Sequence, residues 1–533
     1  MKKLFILLLL MALPVLADSS NMHDFLGATS DAGILTTHSY GGASAETRGD
    51  YTPSDADILI DVNAYAFDFD ASTNTVMPGY PNFARIFETG KSDTVSFVDA
   101  VFDGTYFTGL YQKGNNGVVF SKNKDSGVTV AVKELARNDA AAIDFNGMIF
   151  ISPGEYFAYG TSGSTFYGML FAVSGATYSI TASKTISIGN GLADNQGLSA
   201  VYDSYADVIV LCGISTDEEA PQCLACVILD AADLTPDDSV DWTIPNPVGY
   251  DVKVAAYISG TGDTRLDVAE IGDVGGSTDV YHYSVDVVMA SDSFAVADNW
   301  QKKGSPGSGV YTQLTDLLVD DDNNFVSIQQ LLDTQNYGVI ASLDYTDGST
   351  AYTQISGAAI TFNDLCRVTS TMTGIAAYDS TFASATIYLL DKFGFVQNAR
   401  KTTAGGGASG NALACADVLD PVTSAQLVGI GGAYDDAINQ HEALFLFNVG
   451  TDNFVAAVYM TYDGLGGTKP DKVYKVLSDA DDTYYFSNQG VGGQDFGISS
   501  PVSGEVPEFS IVTLLLAVLL AGGLLFVIRR RAP

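Results

Sequence analysis

Very apolar segments return along this chain at intervals of about 45–60 residues. They read GVVFSKN (117–123), YGMLFAVS (167–174), CLACVILDA (223–231), VYHYSVDVV (280–288), YGVIASLDY (337–345), IYLLDKFG (387–394) and ALFLFNVG (443–450). Each is short and lies near Gly, Asp or Asn, the reading of a strand covered on both faces. Such a strand cannot satisfy its surfaces alone. The recurrence therefore restricts the chain to architectures in which like units stack against one another.

Each apolar segment is the third beat of a four-beat unit. The second beat is a turn rich in Asp, Asn, Gly and Pro followed by an alternating strand. It reads VFDGTYFTGLY (101–111), FISPGEYFAYGT (150–161), YDSYADVIVLCGIS (202–215), VDDDNNFVSIQQ (319–330), TSTMTGIAAYDS (369–380), LDPVTSAQLVGIGG (419–432) and LSDADDTYYFSNQ (477–489). The turn residues close the chain on itself and the alternation follows the two-residue period of a strand. More alternating segments such as TVAVKEL, YSITASKTI and FVAAVYMTY follow as fourth beats. No helical period interrupts the units between the two ends of the chain. The fold class expected is all-β, a β-propeller of four-stranded blades, plus one C-terminal transmembrane helix.

The blade count is less direct. Residues 24–41, 58–69 and 83–87 read as strands of a first copy at about 22–90, and seven further copies follow to about 462. Residues 472–489 then add two strands without a second half. Either eight blades carry a spare hairpin, or N-terminal strands complete the last hairpin and close the ring. Eight blades are favoured, with seven as the other count. The ectodomain expected is 22–490, with a Gly/Ser-rich tether at 491–505.

The chain holds 63 Asp and Glu against 25 Lys and Arg, a formal charge of -38. Such a surface repels phosphate backbones, so nucleic acid is not an expected partner. Cations, basic proteins and polysaccharides are. Hydrophobic residues make up 47% of the chain, which places it among folded proteins.

Both ends carry targeting signals. Met1-Lys2-Lys3, the apolar stretch 4–16 and the small-x-small sequence ending at Ala17 read as a signal peptide, 1–17. Residues 510–528 form an uncharged, proline-free run, about 28 Å as a helix and close to one hydrocarbon core. Arg529, Arg530 and Arg531 follow, and a cluster of this kind stays on the cytoplasmic side. Pro507-Glu508-Phe509 stands directly before the run. This order of motif, helix and basic end over 506–533 resembles the PEF-CTERM class of sorting signals, found mostly on archaeal surface proteins. The resemblance implies an archaeosortase-type membrane enzyme that cuts near the motif and transfers the protein to another anchor. A permanent helix is the plain alternative. The location expected is the cell surface, with an extracellular ectodomain anchored to the cytoplasmic membrane. The repeats themselves resemble the loose propeller repeats of secreted prokaryotic surface proteins, as in LLDKFGFVQNARKT (389–402), without the WD dipeptide of WD40 repeats.

An extracellular location permits disulfides. Cys212 can cross-link to Cys223 or Cys226 in the adjoining strand, and Cys366 and Cys415 fall at matching places in successive first strands. For these last two, a bridge between neighbouring blades and two unpaired core thiols are equally open.

Candidate sites are weak. Asp320-x-Asp322-x-Asn324 has calcium-loop spacing, but Phe325 stands where glycine belongs and Leu331 where the bidentate glutamate belongs. A strand-joining turn fits it better; Asp68-x-Asp70-x-Ser72-x-Asn74 is similar. Residues 125–129, DSGVT, approach an Asp box. His23, His38, His282 and His441 are scattered, and no HExxH or GxSxG motif occurs. The function expected is a surface-anchored propeller for binding or surface-layer interaction, not an enzyme. A secreted propeller hydrolase acting on glycans is the alternative, and a cluster of inward-facing carboxylates in the channel would point to it.

Overall fold

The structure, a computed structural model, describes residues 60–500 less some connecting segments, the longest being 187–196, 244–251 and 461–471. The expected signal peptide, sorting motif, apolar run and arginines lie outside the described residues. Among the described residues the regular elements are strands, and no helix is long and apolar enough to cross a membrane.

The strands form antiparallel four-stranded units in chain order. Unit I opens with Val95–Phe102, unit II with Asp144–Ser152, unit III with Ser199–Asp203 and unit IV with Lys253–Ile258. Unit V opens with Val310–Val319, unit VI with Ile360–Thr369 and unit VII with Ser409–Leu419. In unit IV the fourth strand is split: Ser293–Ala295 and Gln301–Lys303 both pair with Ser277–Val288. One parallel bridge, Thr278 to Val310, joins units IV and V.

The two-sided burial read from the apolar segments is visible strand by strand. In Val208–Ser215 of unit III, Ile209 and Leu211 pack with Phe157, Phe166 and Leu170 of unit II. Val210, Cys212 and Ile214 turn the other way, onto Val254, Leu266 and Val268 of unit IV. The period of two thus hands alternate side chains to two neighbours, and each unit is one layer of two cores. Units V and VI repeat the arrangement through Val326, Ile328, Phe362 and Ile375. Close approach of the layers demands glycine at set places. A Cβ on Gly338 in unit V would collide with the Phe362 ring of unit VI, and one on Gly117 of unit I with Phe145 of unit II.

First strands of consecutive units touch one another from Val95–Phe102 round to Ser409–Leu419, then to Lys472–Asp479, which returns to Val95–Phe102. A series of stacked sheets that meets its own beginning is a ring. The fold is a β-propeller.

The last unit is composite. Lys472–Asp479, Asp482–Asn488 and Asp495–Ser500 pair in succession, and the next strand outward is Thr75–Glu88 from near the other end of the chain. Six residue pairs from Phe83–Ser500 to Glu88–Asp495 knit it on. Ile60–Asp70 pairs with Thr75–Glu88 on one side and meets Asn453–Met460 of unit VII through Phe69 and Ala457. The strand expected at 83–87 therefore completes the last hairpin, with Ile60–Asp70 outside it, instead of belonging to a separate first copy. This corrects a second reading too: 491–505 is not all tether, because Asp495–Ser500 is a strand held between two others. Alternating Phe496 and Ile498 suit such a strand better than the flanking Gly and Ser suggest.

Candidate functional site

Six first strands are bulged at one level, where a residue is inserted and the strand bends. The bulges lie at Phe97/Asp99, Phe145/Gly147, Leu314/Asp316, Phe362/Asp364, Ala412/Ala414 and Val473/Lys475. The residue that follows each bulge is thus Asp99, Gly147, Asp316, Asp364, Ala414 and Lys475, a ring of equivalent positions on the innermost strands.

The carboxylates at this level join units. Asp99 Oδ2 accepts from the Met148 N–H of the next unit at 3.1 Å, and Asp316 Oδ2 from Leu365 N–H at 3.3 Å. Asp364 Oδ2 accepts from Cys415 N–H at 2.8 Å. Between units III and IV, Ser199 Oγ accepts from Val254 N–H at 3.2 Å. At unit II the position is Gly147, and the Tyr159 phenol fills the space a Cβ would take while its oxygen bonds to the Ala200 backbone of unit III. A second tier is built by glutamine. Gln112 donates to Ile143 O at 2.8 Å and accepts from Phe145 N–H at 3.0 Å; Gln330 does the same with Ile360 O and Phe362 N–H at 2.7 and 3.4 Å.

Lys475 is the cation of this ring. Its ammonium lies 3.8 Å from Asp99 Oδ1, with the two side chains 35% and 24% exposed. Burial works against its charge, but Asp99, Asp364 and Asp316 outweigh burial and raise its pKa. The Asp364 carboxyl is pushed up to about 7, by burial first and by Asp316 next, with Lys475 and the Cys415 and Leu365 amides pulling the other way. A group poised there can give or take a proton at neutral pH.

A second polar group lies between units IV and V. Asp267 Oδ2 is 2.6 Å from His282 Nδ1, and Ser327 Oγ is 3.3 Å from His282 Nε2. The order of atoms is that of a nucleophile, base and orienting carboxylate. All three side chains are 0% exposed, so no substrate can meet Ser327 in this state. They form a polar seam inside the stacked sheets, with Gln329 donating to Ser327 Oγ at 2.9 Å. His282 lies in the middle of its strand, Ser277–Val288.

The remaining sequence candidates fall as follows. Cys212 is bonded to Cys226, its cross-strand partner within unit III. Cys366 is bonded to Cys415, joining the first strands of units VI and VII. Cys223 stands opposite Ser215 and Thr243. Asp320 and Asn324 close a turn: Asp320 Oδ1 accepts from Asn324 N–H at 2.8 Å, and the Asn324 amide donates to Asp320 Oδ2 at 3.0 Å. Asp322 lies outside the described residues, as do Ser72, Asn74, 125–128, His23 and His38. Asp68 and Asp70 belong to a hairpin strand. His441 faces Tyr434 across its pair of strands. Among the described residues no group of three or more His, Cys, Asp or Glu is arranged to hold a metal ion.

Sequence reasoning missed the ring of charges. Its signal is the step apolar-x-Asp-apolar in FVDA (97–100), LTDL (314–317) and FNDL (362–365), with FNGM (145–148), ALAC (412–415) and VYKV (473–476) in phase.

No family model and no curated protein sequence matches the chain. Among solved structures it is similar to the Dos1 propeller, at 10% identity and a TM-score of 0.47 over 78% of this chain and 94% of that one. It is also similar to the β-propeller domain of the Trilobed protease from Pyrococcus furiosus, at 10% identity and 0.39 over 70% and 98%. A third is the WD40 domain of SCAP from fission yeast, at 7% identity and 0.41 over 78% and 95%.

Proposed function

We propose that the chain is a secreted propeller of eight blades, held at the cell surface and displaying its loops for binding or surface-layer interaction without catalysis of its own. The count takes units I to VII and the composite unit as one blade each. The observation that supports an exported protein most strongly is the pair of disulfides, Cys212–Cys226 and Cys366–Cys415. Such bonds persist in oxidising compartments and are rare in reducing ones. The signal-peptide pattern at 1–17 and the PEF-type tail at 506–533 agree with that direction of travel. The acidic surface favours cations, basic proteins or polysaccharides as partners.

Thiol counting tests this reading. Protein taken from its native cells is denatured without reductant, alkylated and weighed. The reading predicts one adduct, on Cys223, rising to five after reduction. Five adducts before reduction would overturn export.

A second reading, a glycan hydrolase, draws support from Asp364 and Asp316. One carboxyl poised near neutrality beside another is the equipment of acid–base hydrolysis. Turnover on a glycan panel that disappears in Asp364→Asn would establish it. The main reading predicts no turnover in either protein.

A further inference from the structure

The seam between the last unit and the first is built differently from those described above. At the Asp99, Ser199, Asp316 and Asp364 seams, an oxygen of one unit accepts a backbone N–H of the next. Lys475 occupies the same bulge position but brings a donor, and it meets Asp99 of unit I. Tyr474, beside it, stacks on Phe97 of unit I with ring centroids 6.0 Å apart and planes 16° from parallel. Ala414 is the intervening residue between Asp364 and Lys475 around the ring, and it carries no side chain beyond Cβ to part them. Arg367, on the Asp364 strand itself, is engaged elsewhere: its guanidinium donates to Val319 O of unit V at 3.0 and 2.6 Å.

Asp316 and Asp364 lie on neighbouring inner strands and repel one another, and Asp99 lies on the other side of the Lys475 strand; such repulsion grows as carboxylates leave bulk water. A proton, a metal ion or a basic side chain can relieve it. Lysine suits the task, because its ammonium is a compact charge with three rotatable donors and can serve several carboxylates at once.

We propose that the Lys475 ammonium is the resident cation of this ring: it joins the last unit to the first through Asp99 and offsets the charge that Asp364 and Asp316 bring from the other side of its strand. Removing the ammonium leaves those carboxylates uncompensated.

The test is thermal unfolding of the intact chain for the natural protein, Lys475→Met, Asp364→Asn and Lys475→Met/Asp364→Asn. Lys475→Met unfolds a few degrees below the natural protein, and adding Asp364→Asn returns at least half of that loss, more than Asp364→Asn gains in the natural protein. If Lys475→Met does not fold, folding of the double variant reads the same point. The proposal is overturned if Lys475→Met unfolds with the natural protein, or if Asp364→Asn does not reduce the loss.

Discussion

At the scale of single residues, Asp364 carries the sharpest consequence. Its folded carboxyl is held up at about 7 against an ordinary 3.8. The folded state therefore binds that proton more tightly than the unfolded state, and between these values stability falls as pH rises. Above about 7 the group is ionised in both states and its cost is complete; below about 3.8 it is protonated in both and the cost is gone. Asp364→Asn removes the titration while keeping an oxygen for the Cys415 N–H. The difference in unfolding free energy, variant minus natural, is expected to move in the variant's favour by on the order of 1 kcal/mol between pH 5 and pH 8. Chemical denaturation at the two pH values reads it, and a difference that stays flat contradicts the assignment.

At the scale of elements, the stacking of sheets sets what can be changed. Gly338→Ala would press a methyl into the Phe362 ring and is expected to cost about 1–3 kcal/mol, read as a lowered denaturation midpoint. The two disulfides should differ in worth. Cys366–Cys415 closes a chain separation of 49 residues and Cys212–Cys226 one of 14. By loop entropy the paired serine variants should lose about 4 and about 3 kcal/mol respectively, with the longer loop the costlier. The strands themselves were legible because burial on both faces leaves unbroken apolar runs such as CLACVILDA. The bulged aspartates were not. A bulge shifts alternation by one, so Asp99, Asp316 and Asp364 each read as a polar break in a strand and not as repeats of one position. The sealed Asp267–His282–Ser327 seam was hidden for another reason, since its members come from three strands in two units.

At the scale of the molecule, closure is the feature that local pattern reached only as one of two choices. Thr75–Glu88 and Asp495–Ser500 lie near opposite ends of the chain, and nothing within either segment names the other as partner. Their pairing follows from the unfinished hairpin at 472–489 and from the need of a ring to leave no open sheet edge between its ends. Removing 60–88 is therefore expected to open the ring: the truncated chain should run as an expanded or aggregated species in size-exclusion chromatography and lose cooperative unfolding. Retention of a compact, cooperative fold would contradict closure by these strands. By the same arrangement only residues 501–506 separate Asp495–Ser500, a strand of the ring, from the sorting motif proposed at Pro507.

The proposed surface location rests most heavily on the PEF-type tail, and the mass of the mature protein's C-terminal peptide tests it directly. The account predicts a peptide ending near Glu508 and carrying a lipid. A peptide running intact through Pro533 would contradict processing at the motif.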